Sequence, residues 1–327
     1  MPVLKGMTVN GFIEVDKAVR FKNALQSNAV SPFGKSWYVD YGNGVADDTG
    51  LTPASATKHL QDIIDKAARE DVIFVRPYIT AAQVEGGDPA YILPESTANW
   101  IVPKTLYGLS IIGTGLGVGK SAAYQTNLKG STTVAAVSTL DVRAPFVHLE
   151  NLTFRRGSNT LAGVRYVFTD PGTTNASFGG SLHNCNFWKL SSSATHGALE
   201  IGDVWHMTIS KCTFISCYIG IHISFDNGTA QGLIVRDCDF NGLTSEVSCN
   251  IQAVAGLINT LITGCNFNHA LPNAGAPNVY VSVGATSSGM ISNCFLGNAS
   301  TTIATNMTLN GIVQSGCMSE EGEMVTD

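Results

Sequence analysis

Six short segments of the chain share one order of apolar and polar positions. Each begins with an aliphatic residue, continues with a polar residue and a turn-forming residue, and then has Cys or Leu, followed in five of the six by a polar and an aromatic residue. The segments are LENLTF at 149–154, LHNCNF at 182–187, ISKCTF at 209–214, VRDCDF at 235–240, ITGCNF at 262–267 and ISNCFL at 291–296. Their fourth positions are 33, 27, 26, 27 and 29 residues apart, and Cys317, a further 23 along, begins a degenerate copy. Self-similarity at such a step indicates a repeat architecture.

The third position of each segment predicts a sharp bend. It holds Asn151, Asn184, Lys211, Asp237, Gly264 and Asn293. Five of these six residues are of types that tolerate the left-handed backbone conformation, and Lys211 departs from the pattern. A single left-handed residue between two short strands resets the face to which the next side chain points. The aliphatic first residue and the cysteine can therefore both face inward despite their odd spacing.

A repeat of short strands joined by bends cannot bury its apolar face alone. Stacking the repeats at the inter-strand spacing of about 4.8 Å would bury one continuous core. We therefore predict an all-β protein, a right-handed parallel β-helix, with the cysteines in one interior column and Phe154, Phe187, Phe214, Phe240 and Phe267 in another. The alternative is a β-sandwich, which would not require like residues at a fixed step.

An amphipathic helix is predicted before the repeats. In SATKHLQDIIDKAAR at 55–69, Leu60, Ile63, Ile64 and Ala67 follow helical spacing, with Ser55 or Thr57 as N-cap. A solenoid needs its first coil covered, because an open sheet edge invites aggregation. The predicted organisation is an extended N-terminal arm at 1–36, a lead-in segment and capping helix at 37–70, the β-helix at 71–317 and a polar tail at 318–327.

The composition is typical of a protein with many turns, and the net charge argues against a nucleic-acid partner. Only 13% of the 327 residues are charged and 34 are glycine. The net charge of −6 argues against nucleic-acid binding, which needs a basic face. No apolar run is long enough to cross a bilayer, and MPVLKGMTVNGFIEV has no features of a secretion signal. We expect folding in a cytoplasm, with the eight cysteines reduced and buried.

The glycine-rich stretch IIGTGLGVGKS at 111–121 resembles a phosphate-binding loop but has the wrong spacing. Counting back from Gly119, the glycine that the motif requires falls on Thr114, and Gly113 is one residue too early. No amphipathic helix follows the loop. We interpret the glycines as a turn after a buried strand containing Ile111 and Ile112, and predict no cofactor.

Two further stretches carry a family resemblance. WYVDYGNGVADDTGLTPASATKHLQDIIDKA at 37–67 resembles the opening of pectate-lyase-like β-helix proteins, and LSIIGTG at 109–115 is similar to their early coil. With the repeats, the resemblance covers roughly residues 37 to 317. It implies the β-helix fold, which carries lyases, hydrolases, esterases and bacteriophage spikes. The calcium cluster and paired arginines of a pectate lyase are not recognisable.

An arm followed by a compact β-helix with free thiols is similar to virion proteins of tailed phages. On this resemblance we expect a virion structural protein that decorates the capsid or forms a short spike. Residues 1–36 would contact other virion proteins, with a homotrimer as one possible assembly. The alternative is a tail-spike depolymerase, a hydrolase or lyase that binds and cleaves a host surface glycan. A cellular polysaccharide-active enzyme would need an export signal.

Glycan cleavage would need two carboxylates facing a groove. Glu200 and Asp226 each precede a repeat cysteine by twelve residues, so they would lie on neighbouring coils, with Asp203 nearby. The competing interpretation is that Asp226-Asn227-Gly228 is an ordinary turn. We therefore assign no catalytic residue from the sequence alone.

The remaining candidates each have a structural interpretation as well. Oxygen ligands from Asp40, Asn43, Asp47 and Asp48 suit calcium, but a hydrogen-bonded turn explains the same residues. Trp188 and Trp205 could stack on a sugar ring or pack against loops. Lys211 and Asp237 could form a surface ion pair. The histidines have no metal-ligand spacing and are expected to be satisfied or solvent-facing: His148, His183, His206 and His222.

Overall fold

The computed structural model has the predicted right-handed parallel β-helix fold, in which three long sheets run side by side along the stack. It describes residues 34–46, 48–78, 91–92, 99–115, 125–130, 136–155, 160–167, 178–190, 196–202, 205–224, 230–242, 249–254, 256–269, 279–297 and 307–319. All strand pairs in these residues are parallel. Only residues 34–36 of the predicted arm and 318–319 of the predicted tail are described, so both remain predictions.

Between the two ends of the stack, each coil contributes one strand to each sheet, in the order A, B, C. Sheet A contains Ser36–Val39, Val72–Val75, Ser110–Gly113, His148–Glu150, Ser181–His183, Thr208–Ser210, Ile234–Arg236, Thr260–Thr263, Gly289–Ser292 and Ile312–Ser315. Sheet B contains Tyr91–Ile92, Thr126–Lys129, Leu152–Arg155, Asn186–Trp188, Thr213–Ile215, Asp239–Gly242, Asn266–His269, Phe295–Gly297 and Met318–Ser319. Sheet C contains Trp100–Val102, Ala136–Val142, Thr160–Tyr166, Leu199–Ile201, Ile219–Ile223, Cys249–Ala253, Val279–Ser282 and Met307–Thr308. Two short strands, Ala230–Gln231 and Leu257–Ile258, form a separate pair.

One left-handed residue forms the corner between sheets A and B in each repeat. All six predicted positions have positive φ, between 51° and 63°, and Gly316 continues the series at 65°. Lys211 is included, with φ of 53°, although lysine has no intrinsic preference for this conformation. Asn184 donates a side-chain hydrogen bond to Asn151 on the previous coil, so asparagine here also links successive corners.

The two predicted interior columns are confirmed. The five phenylalanines stack with ring centroids 4.8–5.3 Å apart and with interplanar angles of 20° or less. The column cysteines, from Cys185 to Cys317, are buried and free. Each thiol donates to the carbonyl two residues before it, as Cys212 Sγ does to Ser210 O at 3.4 Å. Burial raises the pKa of Cys217 and Cys249, which lie outside this column, to about 12.

The capping helix is present but shorter than predicted, at Leu60–Lys66. The predicted N-caps are wrong, because Thr57 lies in an extended bridge with Val39 and Val45, and Ser55 ends a 3-10 turn at Pro53–Ser55. Leu60, Ile63 and Ile64 are buried against the first coils, as predicted. The β-helix was predicted to begin at residue 71. It begins one strand earlier, because Ser36–Val39 pairs with Val72–Val75.

The helix covers the free edge of sheet C through one side chain. Gln61 Oε1 accepts from Ile101 N at 2.9 Å, and Gln61 Nε2 donates to Ile101 O at 3.2 Å. The amide therefore replaces the strand that Trp100–Val102 lacks on this side. Among the residues that the structure describes, no helix is long and apolar enough to span a membrane.

Candidate functional site

Polar side chains form a column on the outer face of sheet C. Asp141, Arg165, Glu200, His222 and Gln252 occupy matching positions on five successive coils. Side chains alternate between the two faces of a strand, so these five point away from the core. Their neighbours on both sides belong to the buried interior: Leu140, Val142, Val164, Tyr166, Leu199, Ile201, Ile221, Ile223, Ile251 and Ala253. We call these five residues the sheet C column.

Glu200 and His222 form a buried dyad within the column. Glu200 is 4% exposed and His222 is 5% exposed, although both lie on the outer face of the sheet. His222 Nδ1 lies 3.0 Å from Glu200 Oε1 and 3.1 Å from Oε2. Gly197 N donates to Oε2 at 2.9 Å, and His196 Nδ1 lies 3.9 Å from the same oxygen. Both carboxylate oxygens are therefore already engaged by the protein.

Asp141 lies two coils from Glu200, or about 10 Å along the stack. It is 6% exposed and accepts a hydrogen bond from Ser138. Its second oxygen lies 3.6 Å from the Arg143 guanidinium. Asp141 is therefore held in place by neighbours on its own strand, and it does not contact the dyad directly.

Three groups of the column have no protein partner within the described residues. Arg165 lies between Asp141 and Glu200 in register and forms no ion pair with either of them. His222 Nε2 has no hydrogen bond, because the contacts of this ring are made by Nδ1. Gln252 Oε1 is buried without a partner. A cation, an imidazole nitrogen and an amide acceptor thus lie on one face within four coils, without partners among the described residues.

The predicted carboxylate pair is only partly described. Glu200 lies in the column, whereas Asp203 and Asp226 fall outside the described residues. The Cα partner of Glu200 on the next coil is His222. His222 was expected to be satisfied or solvent-facing, and its Nδ1 is satisfied by Glu200, a pairing that the sequence did not predict. Asp141, Arg165 and Gln252 were not predicted either, because their spacing along the sequence is irregular.

The acidic segment around Asp40 forms a turn with an ion pair. Asp40 Oδ1 accepts from Gly42 N and Asn43 N, both at 3.1 Å, and Oδ2 contacts Asn43 Nδ2 at 3.2 Å and Arg76 at 2.8 Å. Burial opposes the shift, but the bonds from Asn43 and Arg76 together hold the pKa of Asp40 below its ordinary value. Asp47 is outside the described residues. No group of three His, Cys, Asp or Glu side chains suited to a metal ion occurs in the described residues.

The other three candidate histidines lie on sheet A or at its edge. His148 contacts Ser181 Oγ at 2.8 Å and Glu150 at 3.1 Å, and His183 contacts Ser210 Oγ at 2.9 Å. Burial lowers the pKa of His183, and nearby Glu150 opposes this only in part. His206 packs edge-on against Phe178.

The two tryptophans and the predicted ion pair have local explanations. The Arg155 guanidinium lies 4.5 Å from the centre of the Trp188 ring, so one face of this ring is used within the protein. The backbone of Trp205 forms an isolated parallel β-bridge with the backbone of Gln231. Lys211 and Asp237, both described, form no ion pair.

Comparison with solved structures agrees with the fold. Pectin methylesterase from carrot superposes with a TM-score of 0.53 at 11% identity, over 90% of this chain and 85% of that one. Escherichia coli YbhC gives a TM-score of 0.56 at 12% identity, over 92% and 89% of the two chains. No family model matches the sequence, and no curated protein matches it. At these identities the likeness shows a shared parallel β-helix fold.

Proposed function

We propose that the protein is a glycan-cleaving enzyme whose active site is the sheet C column. The observation that carries this proposal is the buried Glu200–His222 dyad, with Nδ1 of the imidazole held by the carboxylate and Nε2 without a partner among the described residues. A base oriented by a third group is the arrangement that activates a proton acceptor. His222 Nε2 is the proposed general base, and Glu200 positions it.

Arg165 gives the proposed site its positive charge. Its guanidinium is one coil from Glu200 and pairs with no carboxylate in the described residues, which leaves its donors for an anionic or hydroxylated part of a sugar. The engaged oxygens of Asp141 and Glu200 argue against a mechanism that uses two free carboxylates. The column runs along the stack, so an extended polymer would lie across successive coils.

The test is turnover of polygalacturonate, methyl-esterified pectin and neutral galactan, with product analysis for a saturated reducing end or an unsaturated end. Glu200→Gln is expected to lower kcat by about 10²–10⁴-fold. The matched control is Asp239→Asn, which changes a half-buried carboxyl on the outer face of sheet B and should leave turnover unchanged. If Glu200→Gln and wild type cleave a polysaccharide at the same rate, the proposal is wrong.

The virion role stays a prediction from the sequence. It depends on residues 1–36 as an anchor, and 1–33 lie outside the described residues. A glycan-cleaving site on the β-helix is compatible with the tail-spike alternative, whose phage setting rests on the family resemblance alone. Immunogold labelling of purified particles would test that setting.

A further inference from the structure

We propose that Gln252 binds a hydroxyl group of the substrate and so helps to select the sugar beside the dyad. This inference rests on the proposed function, because it extends the same site by one coil. Gln252 is the Cα partner of His222, and both side chains point outward between buried neighbours. A sugar that contacts His222 therefore lies within reach of the Gln252 amide.

The physical argument is an unmet hydrogen bond. Gln252 Oε1 is buried and has no partner among the described residues. A buried acceptor that has lost water and gained nothing in return is unfavourable for the folded protein. Such a group persists where a ligand completes it, and the natural complement of an amide oxygen is a donor. A sugar hydroxyl can supply this donor, whereas a carboxylate oxygen would be repelled by Oε1 and could be bound only by the Nε2 hydrogens.

The side chains on the two sides of the dyad bear on how the substrate lies in the site. Arg165, on the far side of Glu200, offers donors only, while the Gln252 amide, on the other side of the dyad, adds an acceptor to its donors. The two sides of the dyad thus differ in chemistry. An acceptor group of the substrate fits beside Arg165, and a hydroxyl-rich sugar edge fits beside Gln252. This polarity would fix the direction in which the polymer binds.

The decisive variant is Gln252→Met, which keeps the length of the side chain and removes the amide. Because an unsatisfied acceptor is removed, we expect a higher midpoint of urea unfolding than in wild type. We also expect KM for the cleaved polysaccharide to rise about tenfold, the loss of one hydrogen bond, with kcat less affected. A variant that is more stable but binds the polysaccharide more weakly would show that the Gln252 acceptor is hydrogen-bonded only when the substrate is bound.

The matched control is Gln125→Met. Gln125 is the more buried of the two side chains, but its Oε1 already accepts from Thr153 Oγ1 at 3.0 Å, and it precedes the sheet B strand at Thr126–Lys129. This variant should lower the unfolding midpoint and leave KM unchanged. A Gln252→Met protein that loses stability as Gln125→Met does, or whose KM changes less than twofold, would overturn the inference.

The two proposals fail differently. If wild type cleaves none of the three polysaccharides and Gln252→Met is more stable, the proposed function fails while the buried acceptor still needs a donor. If wild type cleaves one of them, and Glu200→Gln does not, but Gln252→Met binds it normally, only the hydroxyl assignment fails. The unfolding measurement needs no substrate, so it tests the stability arm in either case.

Discussion

His222 Nδ1 lies 3.0 Å from Glu200 Oε1, and the two residues are Cα partners on neighbouring coils. The bond is therefore part of the coil stack, since any change in register between these strands would separate the two side chains. Because both are buried, His222 relies on Glu200 for its polar contact, whereas Glu200 also accepts from Gly197 N.

We expect the dyad to behave as one catalytic unit. Glu200→Gln and His222→Gln should each lower kcat by about 10²–10⁴-fold, and the double variant should be no worse than the poorer single variant. Such non-additivity arises because a base without its orienting group and an orienting group without its base are both inactive. Steady-state kinetics on the cleaved polysaccharide measures it. Multiplication of the two single losses would show that the residues act independently.

Lys211 is predicted to be a strained corner. Lys211→Asn and Lys211→Gly should each stabilise the protein by about 1 kcal/mol, because the left-handed conformation costs an ordinary side chain about that much. Lys211→Ala keeps the strain and is the control. Asn184→Ala, at the same corner one coil earlier, should be destabilising. Urea unfolding compares all four variants, and equal stability of the Ala and Gly variants at 211 would contradict the strain.

Thiol burial predicts a fall in stability at alkaline pH. The pKa of Cys217 and Cys249 is about 12 in the folded chain, against about 8.5 in an unfolded one. Above pH 8.5 the unfolded chain therefore binds fewer protons, and each of these thiols lowers the free energy of unfolding by up to about 1.4 kcal/mol per pH unit. Urea unfolding between pH 7 and pH 10 measures the slope.

The control for that measurement is Cys217→Ala. Its free energy of unfolding should fall less steeply with pH than that of wild type, by the contribution of one thiol. A thiol-specific reagent adds a second readout. It should label none of the eight cysteines in the folded protein at pH 8 and all of them in urea, because every one is free and buried. Rapid labelling of the folded protein would contradict the burial.

Gln61 is expected to be the critical residue of the N-terminal cap. Gln61→Ala removes both bonds to Ile101 and leaves the edge of sheet C open, with an expected loss of about 1–3 kcal/mol and a greater tendency to aggregate. Gln61→Glu keeps the acceptor for Ile101 N and should lose less. Urea unfolding and light scattering measure the two effects. Unchanged stability in Gln61→Ala would show that the helix covers the edge by packing alone.

The core of this fold was predictable from the sequence because its spacing is nearly constant. From Asn184 to Asn293 the corner residues recur every 26 to 29 positions, and each directly precedes a column cysteine. Asn, Asp and Gly also mark the corner chemically. The Phe and Cys columns follow directly from that regularity.

The sheet C column was not predictable in the same way. Its members are separated by 24, 35, 22 and 30 residues, because the connections on both sides of sheet C differ in length from coil to coil. Counting back from the cysteines therefore placed Glu200 and Asp226 on neighbouring coils without identifying His222, which is the Cα partner of Glu200. The helix start was missed for another reason, because the extended bridge of Thr57 depends on a strand distant in sequence.

The one-residue corner leaves this architecture with an unequal tolerance for change. An insertion at Asn184 or Asn293 would displace every interior side chain after it, whereas the connections that flank sheet C already differ in length without disturbing the Phe rings. Segments bordering the dyad are thus free to diverge while the scaffold stays intact. Evolution can therefore change which ligand such a protein binds by replacing the connections beside sheet C, without changing the stacked coils.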